Sequence, residues 1–356
     1  MAYRETWRLL SWAMQQKTGT HSYKVELMSL IQPSRARMFG AVALAALLLN
    51  SPAAQAEEIS ITQWGQSLYG APFAVAMDKG LFKKAGIDIT GIIGSAGGGT
   101  TVRNILASAT PYGEVALPAA LAAARDGGLD LIIVNVGTRT IAESTLVTLP
   151  NTDIKSLEDL VGKKVAITSP KSSSEMIFLM QLKAKNIDAA QVTRVAAGGY
   201  PPALTMLEQG AVSAAALIEP LSIIRKDRYR TVVAAKDILP PMTTSVGITT
   251  RDFASKNPDK LRAIIAGRRA GVEAIYADPT EAAAILQKMW NFEPAIAKEA
   301  VNNMIGPKMW SLGEFNRTEL DRTVDGLKLI GEVKGEIDWS KLIDQSYLPK
   351  DLQGKL

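Results

Sequence analysis

The chain has 356 residues, a formal net charge of +5, one histidine and no cysteine. Without cysteine it can form neither a disulfide framework nor a thiolate nucleophile. Residues 1–56 hold six of the 40 Lys/Arg and two of the 35 Asp/Glu, so residues 57–356 carry 34 basic and 33 acidic side chains, a net charge of +1. That balance offers no basic patch for nucleic acid and no polybasic run for a membrane surface.

The first 56 residues have the pattern of a targeting segment. Two arginines precede the apolar run 38–49, and the small-residue sequence Ala54-Gln55-Ala56 follows it. The run is far shorter than the ~20 apolar residues of a membrane span. We therefore expect export into the periplasm by a signal peptide cleaved after Ala56, and a true start at Met28 or Met38.

The segment from residue 57 onward contains neither histidine nor cysteine, because the histidine is His21. It cannot build a Ser-His-Asp triad, a Cys-His pair or an ordinary zinc site. Carboxylate or lysine chemistry remains open, but the sequence contains no paired-carboxylate or lysine-nucleophile signature. These observations predict a protein that is not an enzyme and needs no cofactor.

From residue 57 the apolar pattern alternates short strands with amphipathic helices, which is typical of parallel sheets in an α/β fold. The first unit has predicted strands at 59–62, 87–93, 114–117 and 131–134 and predicted helices at 72–79, 100–109 and 119–125. The second unit has predicted strands at 164–168, 191–195 and 213–218 and predicted helices at 156–160, 174–185 and 202–208. Four further helices are predicted at 259–276, 279–290, 294–304 and 317–330.

The two units echo each other, since in both a helix ends at a turn, a short strand follows and a proline opens the next element. Such an echo indicates two similar lobes, although any α/β chain shows some. We expect a first lobe over 57–146, a second lobe over 147–246 and a return to the first lobe over 247–356. Two strands that cross between lobes would form a hinge, and a hinged cleft closes around a ligand.

Ligands of open α/β sheets bind beyond the carboxyl ends of the strands, where helix N-termini present backbone N–H groups. Two loops with this placement are candidates for ligand contact. The glycine-rich loop contributes Ser95, Gly97, Gly98 and Thr100, and the serine-rich loop contributes Ser169, Ser172, Ser173 and Ser174. The first could instead be a tight turn that needs glycine, and one serine of the second could simply cap its helix.

Aromatic, polar and charged side chains outside these two loops complete the predicted site. Six of its residues lie near strand ends: Trp64, Gln66, Ser67, Tyr69, Pro118 and Tyr200. The aromatic rings could form stacking walls or simply pack between lobes. Arg139 could pair with an acidic ligand, or lie solvated at the surface. Glu219 could bind an amino or amidine group, or be an ordinary surface residue.

Three stretches carry a resemblance to a known family: Ala71 to Ile89, Ile154 to Val165, and Pro202 to Ala215 with Ile218-Glu219-Pro220. They resemble ABC-transporter periplasmic solute-binding proteins of the nitrate/sulfonate/taurine and thiamine-pyrimidine-precursor group, above all the alkanesulfonate-binding branch. The phrases Gly80-Leu-Phe-Lys83 and Leu160-Val-Gly-Lys-Lys-Val165 are the most specific. Ser213 stands where the family usually has Asp, and Ile218 where it usually has an aromatic residue, which leaves the ligand class open.

The resemblance implies a type II periplasmic binding protein fold, with two parallel-rich lobes joined by a two-strand hinge. It also implies delivery of a sulfonate, nitrate, taurine or similar organic anion to an ABC permease and its ATPase, and we expect a monomer because a hinged cleft needs free lobes. The alternatives are a binder of a pyrimidine or amine-containing metabolite, or a periplasmic sensor. A pyrimidine-precursor synthase on the same fold is disfavoured, because its chemistry is expected to need histidine and cysteine.

Overall fold

Strands from two separate regions of the chain form two five-stranded sheets in a computed structural model that describes residues 57–126, 128–354 and 356. The predicted signal peptide lies outside these residues. The strands are β1 (Glu57–Thr62), β2 (Ile89–Ser95), β3 (Tyr112–Ala116), β4 (Leu131–Thr138), β5 (Ser144–Thr148), β6 (Lys164–Ile167), β7 (Thr193–Ala196), β8 (Ala214–Ile218), β9 (Arg230–Ala234) and β10 (Ser245–Thr250).

The two sheets have equivalent strand orders, β2-β1-β3-β10-β4 for the first sheet and β7-β6-β8-β5-β9 for the second. In each sheet a central strand, β1 or β6, pairs in parallel with both of its neighbours. The fourth strand of each order, β10 or β5, is antiparallel to its neighbours. The predicted α/β class with two parallel-rich sheets is confirmed. The two antiparallel strands, β5 and β10, are the first strands that the chain forms after it crosses from one sheet to the other.

The helices alternate with the strands and then continue alone toward the C-terminus. They are α1 (Ala71–Asp78), α2 (Leu81–Lys84), α3 (Gly98–Ala107), α4 (Leu117–Leu121), α5 (Ser173–Ala184), α6 (Tyr200–Glu208), α7 (Leu221–Ile224), α8 (Arg251–Lys256), α9 (Pro258–Ala277), α10 (Pro279–Trp290), α11 (Pro294–Ile305), α12 (Arg317–Leu329) and α13 (Trp339–Leu342). Proline begins α9, α10 and α11, where its missing N–H costs no helical hydrogen bond.

Two segments cross between the sheets, 139–143 from β4 to β5 and 235–244 from β9 to β10. They run side by side, since the backbone N–H of Met242 donates to the Arg139 carbonyl at 3.1 Å and that of Thr244 donates to the Thr138 carbonyl at 2.9 Å. This pair of crossings has the connectivity of a hinge. The lobe boundaries at 146 and 246 stay predictions.

A buried ion pair lies under the crossings. Arg268 on α9 and Glu114 on β3 are 1% and 0% exposed, and Nε of Arg268 lies 2.8 Å from Oε2 of Glu114. The other guanidinium nitrogens of Arg268 donate to the carbonyls of Ser311 and Gly137 at 2.7 and 2.6 Å. Because every charged atom has a partner, the pair avoids the penalty of an isolated buried charge and ties α9 to the first sheet.

Helix α12 packs against α5 of the second sheet while it is also bound to a crossing segment. Its Gly326 faces Met176 and Met180, and a Cβ there would come within 2.5 Å of the Met180 sulfur. The Thr323 hydroxyl donates to the Thr243 carbonyl at 2.6 Å. The C-terminal part of the chain therefore contacts both the hinge and the second sheet.

Candidate ligand-binding site

Four side chains from both sheets and a crossing segment meet near the ends of strands. Tyr69 follows β1, Glu143 precedes β5, Tyr200 begins α6 and Glu219 follows β8. The charge of Glu143 acts on both tyrosine hydroxyls, and the charge of Glu219 acts on Glu143. We call these residues the carboxylate cluster. Tyr69, Tyr200 and Glu219 are three of the residues that the sequence predicted for ligand contact, and they are brought together.

Glu143 is the central member of the carboxylate cluster and is 4% exposed. Burial raises the pKa of its carboxyl group to about 8; a hydrogen bond from Tyr69 opposes the shift, and the charge of Glu219 adds to it. Oε2 of Glu143 has no hydrogen-bond partner among the residues that the structure describes. Such an unsatisfied buried acceptor costs about 1–3 kcal/mol, so an additional donor at this position would be stabilising.

Glu219 joins the second sheet to α11. It is 7% exposed, and both of its carboxylate oxygens accept hydrogen bonds from Nδ2 of Asn303. Burial raises the pKa of Glu219 to about 7, against the opposing effects of the hydrogen bond from Asn303 and the charge of Lys236. Beside this contact, Nζ of Lys226 lies 2.7 Å from Oε2 of Glu299 on the same helix α11. The two sheets are therefore held together on this side by polar contacts.

In the described part of the chain, cations act on the carboxylate cluster only without direct pairing. Within the part of the chain that the structure describes, neither Glu143 nor Glu219 forms an ion pair with Lys or Arg. The site thus offers negative charge or carboxyl hydrogen-bonding groups, and the exposed Lys236 acts on Glu219 by its charge without pairing with it among the described residues.

A small cavity of about 20 Å³ lies in the second sheet next to Tyr200. A void of this size holds about one water molecule. Its walls come from β5, α5, the start of α6 and β8, and are formed by Ser144, Thr145, Leu146, Ser174, Ile177, Phe178, Gln181, Tyr200, Ala216, Leu217 and Ile218. Since Tyr200 belongs to both, the cavity adjoins the carboxylate cluster.

Arg139 is occupied by two carboxylates of the C-terminal part of the chain. Its Nη1 lies 3.1 Å from Oε1 of Glu314, and its Nη2 donates to Oε1 of Glu319. Its backbone lies at the start of the first crossing segment, hydrogen bonded to Met309 and Met242. This arrangement anchors the hinge and leaves the guanidinium with two partners before any ligand arrives.

The hydroxyls of the glycine-rich loop bond to one another. Thr101 binds both Thr62, at 2.7 Å, and Ser95, and the Gly97 carbonyl accepts from Ser95 and Thr101. A Cβ at Gly98 would collide with the Ala119 side chain, so close helix packing accounts for that glycine. The exposed Thr100 accepts a hydrogen bond from Arg103, and Pro118 opens α4 nearby. Contact of this loop with ligand stays a prediction.

The serine-rich loop is largely a helix cap. The Ser172 hydroxyl accepts from the Glu175 N–H at 3.3 Å, which caps α5. The buried Ser174 hydroxyl bonds to Ser172, at 2.9 Å, and to Thr168. Ser169 is exposed and Ser173 is half-buried. Of these serines, Ser174 is the one that reaches the cavity wall.

Trp64 packs within the first-sheet side of the molecule. Its ring meets that of Trp290 edge to face, with centroids 5.3 Å apart, and it covers Gly70, where a Cβ would lie 2.6 Å from the Trp64 ring. Gln66 is exposed, whereas the Ser67 hydroxyl is fully buried without a hydrogen-bond partner. These contacts favour a packing role for Trp64 over a role as a stacking wall for a ligand.

Sequence reasoning missed three polar groups of this region, Glu143, Asn303 and Gln181. Glu143 precedes a strand and reads as a solvated residue, and Asn303 lies on a helix far along the chain. For Gln181 a signal existed, because Ser174, Ile177, Phe178 and Gln181 follow helical spacing and form one face of α5. No group of three or more His, Cys, Asp or Glu side chains in the described ranges is arranged to hold a metal ion.

Two sheets of equivalent strand order, linked by a double crossing with polar side chains gathered at strand ends, define the fold of the periplasmic binding proteins. The chain belongs to the NMT1/THI5 like family, whose model matches residues 68–282, more than half of the chain. A comparison with curated protein sequences found no significant match.

Several solved structures share this fold. The periplasmic aliphatic sulphonate-binding protein SsuA from Escherichia coli superposes with a TM-score of 0.67 and 19% identity, over 85% of this chain and 95% of that one. The periplasmic nitrate-binding protein NrtA from Synechocystis PCC 6803 superposes with a TM-score of 0.55 and 15% identity, over 69% of this chain and 70% of that one. The desulfurization enzyme DSZB superposes with a TM-score of 0.62 and 11% identity, over 82% of this chain and 97% of that one. The fold is therefore shared by binding proteins and at least one enzyme.

Among the residues that the structure describes, no helix combines the length and the apolar character needed to span a bilayer.

Proposed function

We propose that this protein is a periplasmic receptor for a small solute that carries N–H donors, an amine, an amidine or an amino-heterocycle, and that it delivers this solute to an ABC importer. The observation that carries the proposal is Glu143, a carboxyl group 4% exposed with no cationic partner among the described residues. A ligand donor would satisfy its free Oε2 and stabilise its ionised form.

The electrostatics favour such a donor over an organic anion. Two like charges 4 Å apart repel by about 4 kcal/mol at an effective dielectric constant of ~20. Because the pKa values of Glu143 and Glu219 are about 8 and 7, a sulfonate would avoid that repulsion only while both carboxyls keep their protons, whereas an ammonium group would favour their ionised forms by a comparable attraction. For this reason the pyrimidine-or-amine alternative is better supported than the sulfonate, nitrate or taurine expectation.

The pairing of Arg139 supports the same choice. The residue expected to bind an acidic ligand already contacts Glu314 and Glu319. An anion would have to displace both carboxylates from the guanidinium, and it would leave the largely buried Glu319 unpaired. We propose that Arg139 fixes the hinge instead.

Binding without chemistry is the second element of the proposal. The likeness to DSZB leaves an enzyme open at the level of fold, but residues 57–356 contain no histidine or cysteine. The receptor role agrees with the sulfonate-binding and nitrate-binding proteins that share the fold. A periplasmic sensor is the remaining alternative, and neighbouring permease and ATPase genes would favour transport over sensing.

A thermal-shift screen of the purified protein against amines, aminopyrimidines, taurine, sulfonates, nitrate and carboxylates tests the proposal. A ligand present at about 100 times its Kd adds about 2.7 kcal/mol of stability. We expect amines or aminopyrimidines to raise the melting temperature of the wild type, and Glu143→Gln to lose that shift while it stays folded. Shifts confined to sulfonates, nitrate or carboxylates, and retained by Glu143→Gln, would overturn the assignment of the ligand.

A further inference from the structure

The cavity of about 20 Å³ beside Tyr200 is lined by apolar side chains and by several polar ones. The hydroxyl of Thr145 is buried and has no hydrogen-bond partner among the residues that the structure describes. The amide of Gln181, a residue 3% exposed, forms no hydrogen bond with any of the described residues. Leaving a buried hydroxyl unpaired costs about 1–3 kcal/mol, so the Thr145 side chain lowers the stability of the protein, whereas the amide atoms of Gln181 are available to a group that enters the cavity.

The placement of Gln181 follows from its helix. On α5 it lies seven residues after Ser174 and four after Ile177, on the one face that lines the cavity. The neighbouring wall residues Ile177 and Phe178 are apolar, and the backbone of α5 is already satisfied within the helix. A leucine would fit this face without a polar cost, so packing alone gives no reason for an amide here.

The cavity is the inner continuation of the carboxylate cluster. Ser144 directly follows Glu143, Ile218 directly precedes Glu219, and the Tyr200 hydroxyl lies close enough to Glu143 to feel its charge. A ligand that contacts Glu143 and passes the ring of Tyr200 would reach the cavity wall that includes Gln181.

We propose that Gln181 is the specificity-determining residue at the closed end of the ligand site, where its amide binds a hydroxyl or amino group that terminates the solute. This proposal rests on the proposed function, because it takes the donor end of the solute to be at Glu143. The amide offers both a donor and an acceptor, and the Thr145 hydroxyl offers the same. A terminal hydroxyl or amino group matches both and fills the space of one water molecule, whereas a sulfonate brings three acceptor oxygens and no donor.

Matched amines that differ at one end test the proposal. Ethanolamine is compared with propylamine, and para-hydroxymethyl-benzylamine with para-methyl-benzylamine, by calorimetric titration of the wild type and of Gln181→Leu. We expect the wild type to bind the hydroxyl member of a pair about ten-fold more tightly, and Gln181→Leu to lose or reverse that preference. Gln209→Leu, on an exposed helix end, is the control and keeps the wild-type preference.

The outcomes separate this proposal from the proposed function. Amines that bind with equal affinity in each pair, or a preference that survives in Gln181→Leu, would overturn the role of Gln181 and leave the amine receptor standing. Amines that fail to bind while sulfonates bind would overturn both. The ligand-free melting temperature of Gln181→Leu should equal or exceed that of the wild type, and Gln181→Met, which also removes the amide, serves if the leucine variant does not fold.

Discussion

Nδ2 of Asn303 lies 3.1 Å from Oε1 and 3.2 Å from Oε2 of Glu219, and it donates to both. Asn303 is on α11, which packs against α10 on the side of the first sheet, while Glu219 directly follows β8 of the second sheet. Ile223, just after Glu219, is buried in the same cluster as Val301 of α11. The contact therefore spans the two sheets and stabilises the arrangement in which they enclose the carboxylate cluster.

We predict that Asn303→Ala weakens ligand binding by about ten-fold, because it removes both hydrogen bonds to Glu219 and with them part of the stability of the closed arrangement. Asn302→Ala is the matched control, since Asn302 is the exposed neighbour on the same helix. Calorimetric titration of both variants with the best solute from the screen measures the difference. Equal affinities in the two variants would show that this contact does not contribute to closure.

The buried carboxyl of Glu143 predicts an inverse dependence of stability on pH. An unfolded glutamate titrates near 4.3, whereas the pKa of folded Glu143 is about 8, so between these values the folded protein holds a proton that the unfolded chain lacks. The contribution of Glu143 is therefore fully present below about pH 4.3 and is lost as the pH rises to about 8, by up to about 1.4 kcal/mol per pH unit. Glu219, with a pKa of about 7, adds to the loss.

Urea unfolding at about pH 5, 6, 7 and 8 measures how the free energy of unfolding depends on pH. The free energy of unfolding of Glu143→Gln should fall less steeply with pH than that of the wild type. Glu58→Gln, at an exposed position, should keep the wild-type slope. Identical slopes in wild type and Glu143→Gln would mean that Glu143 is ionised in the folded protein.

Arg139→Met is predicted to lower the free energy of unfolding by about 2 kcal/mol, because the largely buried carboxylate of Glu319 loses its partner. The double variant Arg139→Met with Glu319→Gln should recover much of that loss, since the uncompensated charge is gone. Ligand affinity should stay within about two-fold of the wild type, because the guanidinium lies in the hinge. A marked loss of affinity for an anionic solute in Arg139→Met would instead restore Arg139 to the ligand site.

Gly271→Ala is predicted to be strongly destabilising, by about 3 kcal/mol or more, because α9 approaches α1 so closely that a Cβ would overlap the Pro72 carbonyl oxygen. Gly306→Ala is the control: no atom lies within 4 Å of the added Cβ and the backbone there is helical. Thermal unfolding of both variants compares them. Similar melting temperatures would show that α1 moves away from α9 at low cost.

The regular elements could be read from the sequence because local signals and tertiary packing agree there. The predicted helix 279–290 coincides with α10, which has the Asp278 cap and Pro279 at its start. Strand β4 extends to Thr138, beyond the predicted end at 134, because Asn135 is buried rather than in a turn and accepts a hydrogen bond from the Tyr112 hydroxyl at 2.9 Å. The extension of β4 beyond residue 134 therefore depends on Tyr112, a residue distant in sequence.

The candidate site was harder to predict than the helices and strands, because its residues are also buried and paired by residues distant in sequence. Glu143 is buried by residues from both sheets, and nothing in the local sequence around it indicates that burial. Arg139 looked available for a ligand because Glu314 and Glu319, its partners, lie in a C-terminal segment whose position depends on the folding of α12 over α5. Tyr200 and Glu219 were predicted because ligands bind beyond strand ends whatever the ligand is, and their contact with a ligand stays a prediction.

The measurement that bears most directly on the ligand is the number of protons exchanged on binding, obtained by calorimetry at pH 7 (near neutrality, about one unit below the pKa of Glu143) in buffers of different ionisation enthalpy. A cationic N–H donor that pairs with ionised Glu143 displaces the proton that the carboxyl holds at this pH. With an ammonium or amidinium solute we therefore expect release of close to one proton per solute bound by the wild type, and far less by Glu143→Gln. Uptake of a proton, or equal exchange in both proteins, would contradict the proposed pairing of the solute with Glu143.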